Sequence, residues 1–234
     1  MNNLYVVLLA GGTGTRMGTE VPKQFLKVRG ESLLRHSVKR FRKFGLTKSI
    51  TVVSHPDWIL ETEKDLEDIL EGNDRIVPGG ESRHLSTVCG LESISYDEKD
   101  IIFIHDVARP NFKQNELYQL VEQTKIFGGA TIVGKSTESL VRVRLHQNYT
   151  EEPLKREEVY SVKTPQSIAG FMIKELLLVE LPKDLKKHPT DLCTWMGKRR
   201  VGIVETDYHN IKVTSPGDAE LADSLFWEEL PAVE

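Results

Sequence analysis

The sequence predicts an α/β fold with a doubly wound, mostly parallel sheet. Strand-like and helix-like segments alternate through the first 135 residues, separated by short breaks. Strands that alternate with helices favour a parallel sheet covered by helices on both faces. The strand-like segments are unbroken apolar runs, such as 4–9 and 101–104, which is typical of strands buried on both sides. With 234 residues, of which 39% are hydrophobic, the chain is long enough to bury one sizeable core.

The elements of the first half follow from periodicity and from their end signals. The first strand runs into Gly11 and Gly12, and the first helix has Ser32 as its N-cap candidate and Gly45 as its stop. The predicted strands are 4–9, 50–53, 76–77, 101–104 and 130–133, and the predicted helices are 32–44, 56–70, 82–94 and 114–127.

The pattern changes at residue 137. Residues 137–162 alternate polar and apolar, with a turn expected at Gln147-Asn148, which predicts a β-hairpin arm that projects from the main sheet. The α/β pattern then returns, with predicted helices near 173–181, from 190 and from Pro216, and predicted strands at 201–204 and 211–213. We expect a single domain over 1–234 with 137–162 as its arm.

Composition and charge exclude several classes of protein. The 31 Lys and Arg against 35 Asp and Glu give a net charge of −4, which disfavours broad nucleic-acid binding but permits a small anionic ligand held by local cations. The apolar runs are too short for a membrane-spanning helix, and no secretory leader is recognisable at the N-terminus. Two widely separated cysteines, Cys89 and Cys193, are expected to be buried reduced thiols, so we expect a cytoplasmic protein.

The segment after the first strand is the strongest functional signal. It is rich in glycine (Gly11, Gly12, Gly14), and glycine lets backbone N–H groups approach a phosphate closely. It matches neither the dinucleotide fingerprint nor the Walker A pattern, because Met17 stands at the third glycine position and no Lys follows the glycines directly. The interpretation is a phosphate loop that carries its own cations, Arg16 and Lys23; the alternative is a glycine-rich turn packed on the sheet.

A second signal lies at the end of the strand 101–104, in His105-Asp106-Val107-Ala108-Arg109-Pro110. Ligands of open α/β sheets bind at the carboxyl ends of the strands. Asp106 is therefore expected to bind hydroxyls or a hydrated Mg²⁺, although a surface ion pair with Arg109 is the simpler alternative. For His105 a structural role is favoured over a general base.

Three further segments carry polar residues that are individually unremarkable. Gly79-Gly80-Glu81-Ser82-Arg83 is a strand-end turn into a helix, where Gly80 permits close backbone approach and Ser82 and Ser86 offer hydroxyls near the helix N-terminus; the alternative is a simple capped turn. Arg156 precedes Thr164-Pro165-Gln166, and Lys212 lies in 210–214. Taken singly, Arg156 and Lys212 are ordinary solvated cations.

In their order along the chain, these motifs resemble one family, the sugar-alcohol-phosphate cytidylyltransferases. It includes the methylerythritol-phosphate enzymes of isoprenoid precursor synthesis and the ribitol-phosphate enzymes of wall-polymer synthesis. The matching segments are 10–18, Pro22-Lys23-Gln24, 79–83, 105–110, Thr164-Pro165-Gln166 and 210–214.

The resemblance implies the nucleotidyltransferase version of the doubly wound, Rossmann-like fold, CTP as donor, Mg²⁺ as cofactor and a homodimer interlocked through the arm. It also assigns roles to residues. The implied catalytic residues are Arg16, Lys23, Arg156 (reaching in from the partner subunit) and Lys212. The implied nucleotide-binding residues are Ala10, Gly11, Gly12, Thr13, Gly14, Gly80, Glu81 and Ser86. The implied acceptor-binding residues are Asp106, Arg109 and Thr164, with Asp106 also the candidate Mg²⁺ ligand, directly or through water.

The acceptor is the open part of this prediction. The His-Asp-x-Ala-Arg-Pro form at 105–110 and the absence of a Tyr-Gln-Gly-Gln-Thr run at 160–164 favour methylerythritol phosphate. Ala10-Gly11-Gly12 and the Cys of Thr190-Asp191-Leu192-Cys193 favour ribitol phosphate. We favour methylerythritol phosphate, with an enzyme of another nucleotide and a catalytically silent binding domain as further alternatives.

Overall fold

A seven-stranded sheet forms the centre of the protein. The computed structural model describes residues 3–12, 22–144, 146–178 and 191–226. Its strands are β1 (Leu4–Ala10), β2 (Lys27–Val28), β3 (Glu31–Ser32), β4 (Thr47–Ser54), β5 (Arg75–Pro78), β6 (Ile101–Asp106), β7 (Gly129–Lys135), β8 (Leu140–Arg142), β9 (Glu152–Leu154), β10 (Tyr160–Ala169) and β11 (Gly202–Thr206). Its α-helices are α1 (Leu33–Lys43), α2 (Ile59–Leu66), α3 (Arg83–Glu92), α4 (Gln114–Phe127), α5 (Gly170–Leu177), α6 (Leu192–Met196) and α7 (Pro216–Ser224).

The strand order of the sheet is β11-β7-β10-β6-β1-β4-β5. Neighbouring strands are parallel except at β10, which pairs antiparallel with both β6 and β7. The predicted mostly parallel sheet is confirmed. Because β10 runs in the opposite direction, its first residues lie at the same edge of the sheet as the carboxyl ends of β6 and β7.

Helices cover both faces of the sheet, as the unbroken apolar strands predict. Alternate residues of β1 show this, because Val6 and Leu8 belong to a core packed under α1, α2 and α4, whereas Tyr5 and Val7 belong to a core packed under α3, α5 and α6. A third, smaller core joins α7 to β2 and the start of α1. The doubly wound arrangement therefore has two main hydrophobic layers.

The helix-end signals of α1 have the predicted roles. The Ser32 hydroxyl accepts a hydrogen bond from the backbone N–H of Arg35, and Gly45 follows the helix with φ of 72°, a conformation that glycine adopts without cost. Helix α4 has the predicted bounds, 114–127. The segment predicted as one helix over 56–70 is instead a 3-10 turn, Pro56–Trp58, followed by the shorter α2.

Two predictions about strands were wrong. Strand β10 was not predicted, because its sequence is polar and contains Pro165. Its first residues, Tyr160–Val162, were assigned to the arm but pair with β7 in the central sheet. The predicted strand 211–213 is irregular chain. Its alternation has another cause: Ile211 and Val213 pack in the small third core.

The hairpin is present but shorter than predicted. Strands β8 and β9 pair antiparallel with each other and with no other described strand. Val141, Val143 and Tyr149 are exposed apolar side chains of this arm.

Neither a membrane-spanning helix nor a disulfide occurs in the part of the chain that the structure describes. None of its helices combines the length and the apolarity that crossing a membrane requires. Cys89 and Cys193 are free thiols, as predicted, but both are half-buried rather than buried.

Candidate active site

A cavity of about 350 Å³ opens at the carboxyl edge of the sheet. The ends of β1, β4 and β6 and the turn after β5 surround it, which is where parallel α/β sheets bind ligands. Its described lining is Leu9, Gly11, Gly12, Lys23, His55, Gly80, Glu81, Ser82, Arg83, Ser86, Asp106, Ala108 and Lys212. Segments from widely separated regions of the sequence therefore meet in one pocket.

The loop after β1 comes close to Lys23. A Cβ added to Gly12 would lie 2.8 Å from Cε of Lys23, so the lysine side chain lies directly against the glycine backbone. Lys23 therefore lies beside the glycine loop, and its predicted catalytic role stays a prediction. Thr13, Gly14 and Arg16 lie outside the described residues, and their roles stay predictions.

The turn after β5 approaches the end of β4 just as closely. The Gly79 N–H donates to the carbonyl oxygen of Ser54 at 2.7 Å, and a Cβ on Gly79 would lie 2.9 Å from Oγ of Ser86. A Cβ on Gly80 would lie 2.5 Å from Cβ of Leu85, which no real side chain tolerates. Both glycines are thus required by packing. We call the part of the pocket formed by Gly11, Gly12, Lys23, Gly79, Gly80 and Ser86 its glycine side.

Asp106, the last residue of β6, is held between two cations. Its Oδ1 accepts from Nε of Arg83 at 2.8 Å, and its Oδ2 accepts from Nζ of Lys212, also at 2.8 Å. Burial opposes ionisation of this carboxyl, but Arg83 and Lys212 outweigh burial and hold the pKa of Asp106 below its usual range. The simpler alternative of an Asp106–Arg109 surface pair is wrong, because the partners come from α3 and from the chain before α7.

Local packing directs Lys212 toward Asp106. Ile211 and Val213 on either side of it are anchored in the third core, and the Val213 N–H donates to the carbonyl oxygen of Ala108 at 2.8 Å. The intervening Lys212 side chain reaches the carboxylate. A segment without regular secondary structure is fixed in this way by its apolar neighbours.

Thr164 and His105 lie behind Asp106. The Thr164 hydroxyl accepts from the Asp106 N–H at 3.1 Å and lies 3.0 Å from Nδ1 of His105. His105 is fully buried against the rings of Phe41 and Phe112, and burial lowers its pKa to about 3. Its position supports the predicted structural role, and acceptor binding by Thr164, which is buried, stays a prediction.

Arg109 lies next to this group, outside the described lining of the cavity. One guanidinium nitrogen donates to the carbonyl oxygen of Asn210 at 3.3 Å, and burial lowers its pKa. The Nζ of Lys163 donates to the same oxygen at 2.8 Å. We call Arg83, Asp106, Arg109, Lys163 and Lys212 the cation side of the pocket.

The structure brings together most, but not all, of the predicted residues. Lys23, Gly11, Gly12, Gly80, Glu81, Ser86, Asp106 and Lys212 line the cavity, and Ala10 is buried at the end of β1. Arg156 is not in the described lining. It follows β9 on the hairpin and is exposed; it pairs with Glu157 and donates to the carbonyl oxygen of Thr137 at 3.3 Å.

Sequence reasoning missed three residues at or beside the pocket: Arg83, Lys163 and His55. Arg83 belonged to a recognised motif but was interpreted as part of a turn, and Lys163 directly precedes the recognised Thr164. His55 follows β4, and its Nδ1 accepts from the Asp57 N–H at 3.2 Å. A polar residue at a strand end was the available signal for His55.

The described carboxylates of the pocket do not by themselves form a metal site. No group of three or more His, Cys, Asp or Glu side chains stands ready for a metal among the described residues. Asp106 is a hard oxygen ligand suited to Mg²⁺, but both of its oxygens already accept from cations. Mg²⁺ commonly binds through one or two carboxylates and the phosphates of a nucleotide, and the pocket agrees with that mode.

Comparison with known proteins agrees with this geometry. The family model "IspD: 2-C-methyl-D-erythritol 4-phosphate cytidylyltransferase" matches residues 4–228. A 2-C-methyl-D-erythritol 4-phosphate cytidylyltransferase of Leptospira interrogans is 43% identical over 229 residues, covering 95% of this chain and 93% of the relative. A chloroplastic enzyme of the same name from Oryza sativa is 31% identical and covers 96% of this chain and 74% of that protein.

A solved structure gives the same result. The crystal structure of the Francisella tularensis enzyme of this name superposes with a TM-score of 0.79 at 25% identity, covering 96% of this chain and 100% of that one. The fold class predicted from the sequence is thereby confirmed, and so is the family resemblance. The chain belongs to the 2-C-methyl-D-erythritol 4-phosphate cytidylyltransferase family.

Proposed function

We propose that this protein transfers CMP from CTP to 2-C-methyl-D-erythritol 4-phosphate and releases pyrophosphate. Family membership supports the reaction, and it favours methylerythritol phosphate over ribitol phosphate as acceptor. The observation that carries the proposal on this chain is the pocket itself, in which close-packed glycine loops face a group of cations around Asp106.

The reaction is an electrostatic problem rather than one of proton transfer. The nucleophile is an oxygen of the acceptor phosphate, which is ionised near pH 7, and it attacks the α-phosphorus of CTP in line with the departing pyrophosphate. No general base is required, which agrees with the burial of His105 away from the cavity. Positioned cations must offset the repulsion between the two phosphates and the charge that grows on pyrophosphate.

The two sides of the pocket bind different substrates. On the glycine side, backbone groups of Gly11, Gly12 and Gly80 bind the nucleotide, and Lys23, with Arg16 of the same loop, stabilises the charge on the phosphates. On the cation side, Lys212 positions the acceptor phosphate, and Asp106 orients the lysine through its 2.8 Å hydrogen bond. Asp106 would help to hold a Mg²⁺ ion bound with the triphosphate, and that ion would supply further neutralisation of charge.

The experiment that tests the reaction is pyrophosphate release with CTP and Mg²⁺ and three acceptors: methylerythritol 4-phosphate, ribitol 5-phosphate and glycerol 3-phosphate. We expect kcat/KM with the first acceptor to exceed that with the others by at least about a hundredfold. The wrong acceptor would leave polar groups of the site without a hydrogen-bond partner. Replacing CTP by UTP or GTP tests the base. Turnover with ribitol phosphate alone, or none with CTP, would refute the proposal.

We further propose that the protein is a homodimer and that the hairpin carries Arg156 into the site of the partner subunit. Two observations support this arrangement: β8 and the chain after it expose Val141 and Val143, and Arg156 is absent from the described lining of its own pocket. Free thiols at Cys89 and Cys193 are compatible with the cytoplasm, where we place the enzyme.

Complementation between two impaired variants tests the shared site. Arg156→Ala is expected to raise the KM of the acceptor more than that of CTP, since it removes a contact to the acceptor phosphate. Mixed dimers of Arg156→Ala and Lys23→Ala should regain activity, because one of their two sites has both residues intact. Absence of recovery in subunits shown to have exchanged would contradict a shared site.

A further inference from the structure

Two cations of the cation side meet at a single neutral acceptor. The Nζ of Lys163 and a guanidinium nitrogen of Arg109 both donate to the carbonyl oxygen of Asn210, at 2.8 and 3.3 Å. The two nitrogens are therefore at most 6.1 Å apart. One carbonyl oxygen has two lone pairs but carries no net charge, so it satisfies two donors without neutralising either cation.

Neither cation has a carboxylate partner within residues 3–12, 22–144, 146–178 and 191–226. The negative charge of Asp106 raises the pKa of Arg109, but Asp106 is already paired with Arg83 and Lys212. Burial lowers the pKa of Lys163, and the positive charge of Arg109 lowers it further; Glu116 and Asp207 oppose this shift without cancelling it. Burial likewise lowers the pKa of Arg109. The pair thus lacks a compensating negative charge in direct contact.

The fold places this pair beside the proposed acceptor position. Thr164, the neighbour of Lys163, accepts from the Asp106 N–H at 3.1 Å, and the Asn210 side chain donates to the Thr164 carbonyl oxygen at 3.0 Å. Asn210 lies two residues before Lys212. The aliphatic part of Lys163 lies over Gly134, where a Cβ would approach its Cε to 2.7 Å, so the small residue leaves room for the side chain to extend toward Arg109.

We propose that Lys163 is an acceptor-binding residue, which with Arg109 forms a two-cation subsite for the phosphate monoester of the acceptor. This subsite rests on the proposed cytidylyl transfer and deepens it. A phosphate dianion suits the pair, because it accepts several charge-assisted hydrogen bonds and has the charge that both cations lack. Both side chains have further N–H donors beyond those given to Asn210.

The alternative is that Lys163 has a structural role that does not depend on its charge. In that role it only connects β10 to Asn210 and so positions Lys212. Lys163→Gln tests the charge, because the glutamine amide offers the Asn210 carbonyl a neutral N–H donor, one bond nearer the backbone than Nζ. Lys163→Arg keeps the charge. Lys125→Met is the control for loss of a lysine, since Lys125 is exposed in the last turn of α4, near the first residue of β6 and so at the opposite edge of the sheet.

The first measurement is steady-state kinetics with CTP and methylerythritol 4-phosphate. We expect Lys163→Gln to raise the KM of the acceptor about tenfold or more, because one hydrogen bond to a charged group is lost. The KM of CTP should stay within about twofold of wild type. Lys163→Arg should recover most of the affinity, and Lys125→Met should match wild type. An unchanged acceptor KM in Lys163→Gln, or an equal change in both KM values, would overturn the proposal.

The second measurement does not depend on turnover. Calorimetric titration of inorganic phosphate into protein saturated with a non-hydrolysable CTP analogue should give about tenfold weaker binding in Lys163→Gln than in wild type. Equal phosphate binding in the two proteins would refute the subsite even if the enzyme is active. Lys163-dependent phosphate binding in a protein that transfers no CMP would refute the proposed function and retain the anion subsite.

Discussion

The glycine side and the cation side of the pocket are built on opposite principles. The glycine side consists of short motifs whose backbone approaches its neighbours closely, as at Gly79 against Ser86 and at Gly80 against Leu85. The cation side consists of single charged residues from distant segments, arranged around Asp106. The first is therefore determined by sterics within a loop and the second by electrostatics across the fold.

This difference has a consequence for substitutions. A change on the glycine side should act on nucleotide binding or on the rate, with a stability cost only where a Cβ has no room. A change at the centre of the cation side should act on stability and activity together, because each charge there compensates another. Four predictions test this contrast, in order of decreasing effect.

The largest effect is expected from Asp106→Asn, which would leave Arg83 and Lys212 without the carboxylate between them. Removing one member of a buried ion network typically costs about 3–5 kcal/mol. Because the side chains of Asp106 and Lys212 are 13% and 36% exposed, we expect a loss near the lower end, about 3 kcal/mol, in the free energy of unfolding. Urea denaturation measures it. Glu122→Gln, which breaks the exposed Lys125–Glu122 pair of α4, is the control and should cost at most about 1 kcal/mol. Similar losses in both variants would contradict the role assigned to Asp106.

Lys23→Ala should separate rate from stability. We expect kcat to fall by about a hundredfold or more, equivalent to about 3 kcal/mol of lost transition-state stabilisation, while the denaturation midpoint changes little. Steady-state kinetics and thermal melting check both quantities, with Lys125→Met as control for a lost lysine. Turnover within a few-fold of wild type would remove Lys23 from the catalytic residues.

Gly80→Ala tests the steric basis of the glycine side. The added Cβ would lie 2.5 Å from Cβ of Leu85, so the turn before α3 must shift. We expect the free energy of unfolding to fall by about 1–3 kcal/mol. We also expect the KM for CTP of the variant to exceed that of the wild-type protein. Gly72→Ala is the matched control, because a Cβ there has no neighbour within 4 Å. Equal stability of the two variants would show that the turn adapts freely.

The smallest effect is a pH dependence from His105, behind the cation side. In the unfolded chain this histidine takes up a proton below about pH 6.5. In the folded protein burial holds its pKa at about 3. Between these values the unfolded state binds more protons, so acidification from pH 7 to 5 destabilises the fold.

Between pH 7 and pH 5 the wild-type protein should lose about 1–2 kcal/mol of unfolding free energy through His105, and His105→Gln should abolish this contribution. Urea denaturation of the variant and of wild type at pH 7 and pH 5 provides the comparison. The comparison uses the change with pH and not the stability at one pH, because the substitution itself alters packing. An identical change with pH in His105→Gln and wild type would show that His105 is protonated equally in both states.

The same contrast explains what could be predicted. Helix α4 and the caps of α1 are local features, fixed by periodicity and by Ser32 and Gly45, and the structure confirms them. Strand β10 is not local, since its polar sequence becomes a central strand only by pairing with β6 and β7. The apolar alternation of Ile211 and Val213 was likewise mistaken for a strand, because it reflects burial against α7 and β2.

The sequence by itself determined the doubly wound fold, the glycine loops with Lys23, and the family to which the chain belongs. These depend on spacing along the chain, where each residue restricts its near neighbours. Only the tertiary structure decided that Asp106 pairs with Arg83 and Lys212 instead of Arg109, and that Lys163 meets Arg109 at Asn210. Coulomb interactions depend on distance in space, and neither a spacing of 23 residues between Arg83 and Asp106 nor one of 106 between Asp106 and Lys212 specifies such a distance.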